Sequence, residues 1–168
     1  MDRIVLVGLP GTGKTTAGRA LARALGEDFV DTDDVFGELE GEPVPDFLRR
    51  HGETLFREHE FRALETALAR ATVVATGGGV VTTPQAREVL RREFTIWLTC
   101  PDDELILRVG DGDRPLLGER PRDRLAELRS EREGWYREVS KARVDADRAV
   151  EDVVAELVRI VSRDRIGQ

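Results

Sequence analysis

Gly8-Leu9-Pro10-Gly11-Thr12-Gly13-Lys14-Thr15 meets the spacing G-x-x-x-x-G-K-[ST] at every fixed position. The chemistry such a stretch offers is the cradling of a polyphosphate. Its glycines let the backbone curl so that successive N–H groups point inward at phosphate oxygens. Lys14, expected to be an exposed site residue, has the reach for β- and γ-phosphates, and the Thr15 hydroxyl can ligate Mg²⁺. Gly11, Thr12, Gly13, Lys14, Thr15 and Thr16 are therefore candidates to bind ATP. A chance Gly-rich turn would match the letters but not the flanks. The apolar run Ile4-Val5-Leu6-Val7 precedes the motif, and a helical pattern with Ala17, Ala20, Leu21, Ala24 and Leu25 on one face follows it. A loop between a buried strand and a helix is the setting the mechanism requires, because the helix N-terminus adds partial positive charge.

Five further groups have residue types that could do chemistry beside a bound polyphosphate. Asp31-Thr32-Asp33-Asp34 offers carboxylates that could hold Mg²⁺ or accept a proton from a substrate hydroxyl, or could simply cap a helix. A dianionic acceptor would be repelled by this cluster, whereas a neutral hydroxyl would not. Gly77-Gly78-Gly79 suits a place where a ligand presses on bare backbone, the alternative being a flexible turn. Arg57 has Glu60 three residues on to orient it, although a solvated helix position is the usual fate of an arginine. Arg114 precedes Pro115-Leu116-Leu117, and Arg137 follows Trp135-Tyr136. His51 and His59 read as surface helix residues without a catalytic role.

These groups must be positioned by alternating strands and helices. Strands are expected at Arg3–Val7, Asp28–Asp31, Thr72–Thr76, Phe94–Thr99 and Ala142–Asp145. The helices between them are marked by Gly26, Gly41 and Gly52 at their ends and by Pro84 and Pro101 at their starts. The stretch Gly110–Arg122 is rich in Gly, Pro, Asp and Arg without periodicity and reads as a mobile loop, followed by a helix from about Arg122 to Val139. The last helix carries Val150, Val153, Val154, Leu157, Val158 and Val161, and Arg163–Gln168 is expected to fray. Such alternation implies a parallel sheet whose strands, as continuous apolar runs, are covered on both faces. Ligands then bind beyond the carboxyl ends of the strands, which is where the phosphate loop, the Asp cluster and the triple glycine all fall.

At 168 residues the chain suits a single domain, residues 1–168. With 40% hydrophobic and 35% charged residues it has a soluble globular composition, and no apolar run approaches the roughly 20 residues of a membrane span. The first strand begins almost at residue 1, so no signal peptide is expected. A single cysteine, Cys100, suits a reducing cytoplasm and reads as a small buried residue. A net charge of −7 argues against nucleic acid and anionic membranes as partners. It also requires that positive charge be concentrated locally if ATP is to bind.

Taken in order, the phosphate loop, Asp31-Thr32-Asp33, Phe56-Arg57 with Glu60, Gly77-Gly78-Gly79, Arg114-Pro115-Leu116-Leu117 and Tyr136-Arg137 closely resemble the shikimate kinase family. The resemblance covers nearly the whole chain. It implies the nucleoside monophosphate kinase-like, three-layer P-loop fold: a five-stranded parallel sheet flanked by helices, with a lid. It implies transfer of the ATP γ-phosphate to the 3-hydroxyl of shikimate, on the route to chorismate and the aromatic amino acids. By the same resemblance Asp33 binds the reacting hydroxyls, Arg57 and Arg137 grip the shikimate carboxylate, and Gly78 and Gly79 approach the acceptor. Arg114 is the lid arginine, Thr15 and Asp31 serve the metal, and Arg108 packs on adenine. Lys14, Asp33 and Arg114 form the implied catalytic set, and a cytoplasmic monomer is the expected state.

One departure stands out. Where many members carry a Thr- and Pro-containing loop along adenine, this chain reads Asp145-Ala146-Asp147-Arg148-Ala149-Val150, so an adenine contact by Arg148 stays open. Two other readings share the phosphate loop: a kinase of a sugar acid or cyclitol, and a nucleotide-binding protein without catalysis.

Overall fold

The computed structural model describes residues 3–109 and 120–167. The expected lid, with Arg114, therefore lies outside the described residues except for its last three positions. There Pro121 opens a helix, as proline does at a first helical position, so Pro121 and Arg122 belong to that helix and not to a loop.

The apolar runs form strands β1 (Ile4–Val7), β3 (Val73–Ala75) and β4 (Phe94–Thr99), buried along their whole length. Two others, β2 (Phe29–Asp31) and β5 (Ala142–Asp145), lie at the edges and are only partly covered. The expectation that every strand is covered on both faces thus holds for the inner three. The sheet order is β2-β3-β1-β4-β5 and every pairing is parallel. In register, Ile4 stands beside Val73 on one side and Phe94 on the other.

Because side chains alternate along a strand, β1 and β4 feed two cores. Leu6, Ile96 and Leu98 meet Leu21 of α1 (Lys14–Leu25) and Leu157 of α8 (Val150–Gly167). On the opposite face Val5, Val7 and Trp97 meet Leu64 of α4 (Glu53–Arg70), Leu90 of α5 (Pro84–Arg92) and Tyr136 of α7 (Pro121–Val139). Three shorter helices, α2 (Thr32–Glu40), α3 (Val44–His51) and α6 (Asp102–Val109), complete the layers. Among the described residues no helix is long and apolar enough to cross a membrane.

Local details differ from the periodicity. The buried face of α1 is Ala17, Gly18, Leu21 and Ala22, not the Ala20 and Ala24 positions. The reason is Gly18: a Cβ there would stand 2.7 Å from the Phe29 ring of β2, so the bare backbone admits that ring and rotates the packing face. The C-terminal helix does not fray at Arg163; it runs to Gly167, where Arg165 pairs with Glu27 at 3.0 Å. His59 is not a plain surface residue either. It packs on the Phe47 ring at 5.1 Å and holds Glu40 at 2.7 Å.

The central strand should be the least tolerant of truncation. Leu6 is fully buried between α1 and α8. Leu6→Ala should lower unfolding free energy by about 2–5 kcal/mol in urea denaturation, with little change in slope.

Candidate active site

The C-terminal edge of the sheet opens into a cleft of about 450 Å³. Its floor is the loop between β1 and α1, its sides are the residues following β2 and β3, and α3, α4 and α7 rise around it. Of the residues expected to act, the cleft brings together Gly11, Gly13, Lys14, Thr15, Thr16, Asp31, Asp33, Arg57, Gly78, Gly79 and Arg108.

The phosphate loop owes its shape to local backbone preference. Gly13 caps α1 with φ +88°, a left-handed conformation that a side chain would strain. Lys14 is buried, at 8% exposure, contrary to expectation. Its ammonium folds back over the loop and donates to the carbonyls of Gly8 at 2.8 Å and Leu9 at 2.9 Å. A charged group at this depth needs acceptors, and the curled backbone supplies them. Thr12 faces away from the cleft: it is buried and its hydroxyl donates to the Leu9 carbonyl at 3.0 Å.

Asp31 does two jobs at once. One carboxylate oxygen accepts the Asp33 N–H at 2.9 Å and caps α2, and the other accepts the Thr15 hydroxyl at 2.6 Å. The structural and the functional reading of this cluster are therefore compatible. Asp33 remains open to solvent in the cleft, yet surrounding protein and the neighbouring carboxylates of Asp31 and Glu60 push its carboxyl up to about 6. Burial is the largest cause and Lys14 opposes it.

On α4, Arg57 donates from Nη1 to Glu60 at 2.7 Å and from Nη2 to Glu53 at 3.1 Å. Burial alone would favour its neutral form, but Glu60's charge and hydrogen bond more than offset it. Glu60 is itself buried, which pushes its carboxyl up against the pull of Arg57 and then Arg132. The guanidinium lies flat against the triple glycine: a Cβ on Gly79 would fall 2.3 Å from Arg57 Nη1. Bare backbone at Gly79 thus leaves room for a protein side chain, whatever ligand approaches.

Besides Thr12, two expected residues are not brought to the cleft. Arg137 is 69% exposed and pairs with Glu133 at 3.1 Å. Arg148 pairs with Glu156 and donates to the Asp145 carbonyl at 3.1 Å. In place of Arg137, α7 presents Arg132, which is buried and lines the cleft. Five residues along a helix rotate a side chain by about 140°, so the two arginines cannot share a face. The missed signal is the stripe Arg124, Leu128, Arg132 and Tyr136, spaced by four, whose first three members line the cleft. Arg108 is present at the rim, tied to Glu104 at 2.8 Å and to the Ala146 carbonyl at 2.8 Å.

The positive charge demanded by the net −7 is thus gathered here, as Lys14, Arg57, Arg108, Arg124 and Arg132. Arg57 Nε and Arg132 Nε are buried donors without a hydrogen-bond partner among the described residues. Both arginines line the same cleft, so two guanidinium groups are available to one anion there. Beside them stands Asp33, an acid able to take a proton near neutrality. Cys100, by contrast, is buried, and burial pushes its thiol up, which makes it unreactive.

Comparison with known proteins agrees with this arrangement. The protein-family model for shikimate kinase matches residues 10–162. The shikimate kinase of Corynebacterium diphtheriae is 39% identical over 158 residues, covering 92% of this chain and 91% of the relative. That of Symbiobacterium thermophilum is 43% identical over 162 residues, covering 92% and 93%. The shikimate kinase from Acinetobacter baumannii, solved in complex with shikimate, superposes with a TM-score of 0.91 at 34% identity, over 98% of this chain and 94% of that one. Matched along nearly the whole chain by the family model and by these relatives, and carrying a phosphate loop, an acid of raised pKa and two cleft-lining arginines in the same fold, the chain belongs to the shikimate kinase family.

Proposed function

We propose that this chain transfers the ATP γ-phosphate to the 3-hydroxyl of shikimate, giving shikimate 3-phosphate and ADP. The observation that carries the acceptor side is the pair of unpartnered buried donors, Arg57 Nε and Arg132 Nε, on the walls of a cleft that also holds Asp33. A carboxylate satisfies two guanidinium groups with charge-assisted bonds, which are about twice as strong as neutral ones. Arg132 thereby takes the role that the sequence resemblance assigned to Arg137.

On the donor side the loop N–H groups and the start of α1 bind the triphosphate. Lys14 exchanges its bonds to the Gly8 and Leu9 carbonyls for bonds to the β- and γ-phosphates. Thr15 Oγ1 and Asp31, in contact with each other, offer the hard oxygen donors that suit a Mg²⁺ ion keeping most of its waters. When bound, that ion would neutralise charge between the β- and γ-phosphates. The acceptor oxygen forms a bond to the γ-phosphorus, the bond from that phosphorus to the β–γ bridging oxygen breaks, and the hydroxyl proton passes to the Asp33 carboxylate. Phosphoryl transfer asks chiefly for positioning and charge stabilisation, and Arg57, Arg132, Asp33 and Lys14 divide those tasks. Arg114 is assigned to the same charge, and Arg108 to the adenine side. The chain is assigned to the cytoplasm, in keeping with its one free buried cysteine, and is taken to act as a monomer.

The acceptor assignment is tested by kcat/KM for shikimate and for an analogue whose carboxylate is replaced by a neutral group. Wild type should use the analogue poorly. Arg132→Lys should weaken shikimate use by at least tenfold, because an ammonium cannot reproduce the planar fork, while Arg137→Lys should stay within about twofold of wild type. Equal use of both acceptors would favour a sugar or cyclitol kinase.

Asp33 generates a pH prediction. It must be ionised to accept a proton, and its carboxyl is raised to about 6. As pH falls through that value the carboxylate is lost, so kcat/KM for shikimate should fall about tenfold per unit below pH 6. Asp33→Asn should remove this limb of the profile and lower kcat by roughly 10²–10⁴ while ATP still binds.

A further inference from the structure

We infer that Tyr136 is a positioning residue of the acceptor site, acting through the triple glycine to hold the Arg57 guanidinium in place. The inference rests on the acceptor reading given above. Tyr136 is buried on the inner face of α7, one turn beyond Arg132, with its ring stacked on Trp97 at 6.0 Å between centroids. Its hydroxyl donates to the Gly78 carbonyl. The neighbouring carbonyls are satisfied within the loop itself. Gly77's accepts the Val80 N–H at 3.3 Å, and Gly79's accepts the Thr82 N–H at 3.0 Å and the Thr82 hydroxyl at 2.7 Å. The Gly77 N–H donates to Thr32 Oγ1 at 3.1 Å.

The three glycines are therefore tethered from outside at two points, Thr32 on the β2 side and Tyr136 on the α7 side, while Arg87 of α5 holds the Val81 and Thr82 carbonyls of the turn that follows. Three consecutive glycines have little rotational preference of their own, so these tethers set where the Gly79 backbone lies. That backbone is the surface on which Arg57 rests, close enough that a Cβ would collide with its Nη1. Releasing the Gly78 carbonyl lets the platform shift and the guanidinium with it. Tyr136 need touch neither substrate to do this.

Tyr136→Phe removes only the hydroxyl and keeps the ring on Trp97. The readouts are KM for shikimate and for ATP, and hydrogen–deuterium exchange at the Val80 and Thr82 amides. The variant should raise KM for shikimate about tenfold, leave KM for ATP within twofold, and speed exchange at both amides. Combined with Arg57→Lys, its effect on shikimate KM should be smaller than multiplicative, because both changes act on the same guanidinium. An unchanged shikimate KM, unchanged exchange, an equal loss for both substrates, or a multiplicative combination would overturn the inference. If wild type itself does not use shikimate, the acceptor reading fails, and faster exchange in the variant would still sustain the tether.

Discussion

A guanidinium held on bare backbone above a buried carboxylate is the contact on which the site depends. Arg57 and Glu60 are both withdrawn from water, and two such charges repay their desolvation only when the geometry is good. Glu60 and Glu53 take the two terminal nitrogens, which leaves Nε for something else. A side chain on Gly79 would displace the guanidinium from this place, so glycine is what leaves the contact undisturbed. From this pairing follow the triple glycine after β3, the Thr32 and Tyr136 contacts that hold it, and the need for a second cation, Arg132, beside Glu60.

The same crowding produces the chemistry. Three carboxyl groups, on Asp31, Asp33 and Glu60, face one cleft in a protein that is acidic overall. Asp31 is committed to a helix cap and the Thr15 hydroxyl, and Glu60 to Arg57. Among the described residues the Asp33 carboxylate has no such commitment, and burial together with repulsion is concentrated on it. The group left to titrate is therefore the one proposed to receive the acceptor hydroxyl's proton. Lys14 shows the complementary arrangement: with carbonyls to hold it, an ammonium waits buried beside the place where phosphate oxygens would arrive.

What was legible in the sequence was whatever depends on a short stretch of backbone. The phosphate loop, the αL glycine ending α1, the Asp cluster at the end of β2 and the order of strands all follow from local rules and periodicity. Arg57 with Glu60 was legible because three residues on a helix is a fixed neighbour relation. Arg132 was not, because its identification needed the face of α7, and the adjacent Tyr136-Arg137 drew attention to the wrong side of the helix. The depth of Lys14 and the rotation of α1 were hidden for a related reason: both depend on partners, a curled loop and the Phe29 ring, that no local pattern announces. Arg114 and residues 110–119 lie outside the described residues, so the lid remains an assignment from the sequence.

The central claim is that positive charge stored in this cleft is arranged for one carboxylate-bearing alcohol and for ATP together. Coupled ADP release, measured with ATP and Mg²⁺ in the presence and absence of shikimate, tests it most directly. ADP should form at a rate that rises with shikimate and saturates, with only slow background release when the acceptor is omitted. Release that is the same with and without shikimate would contradict the account.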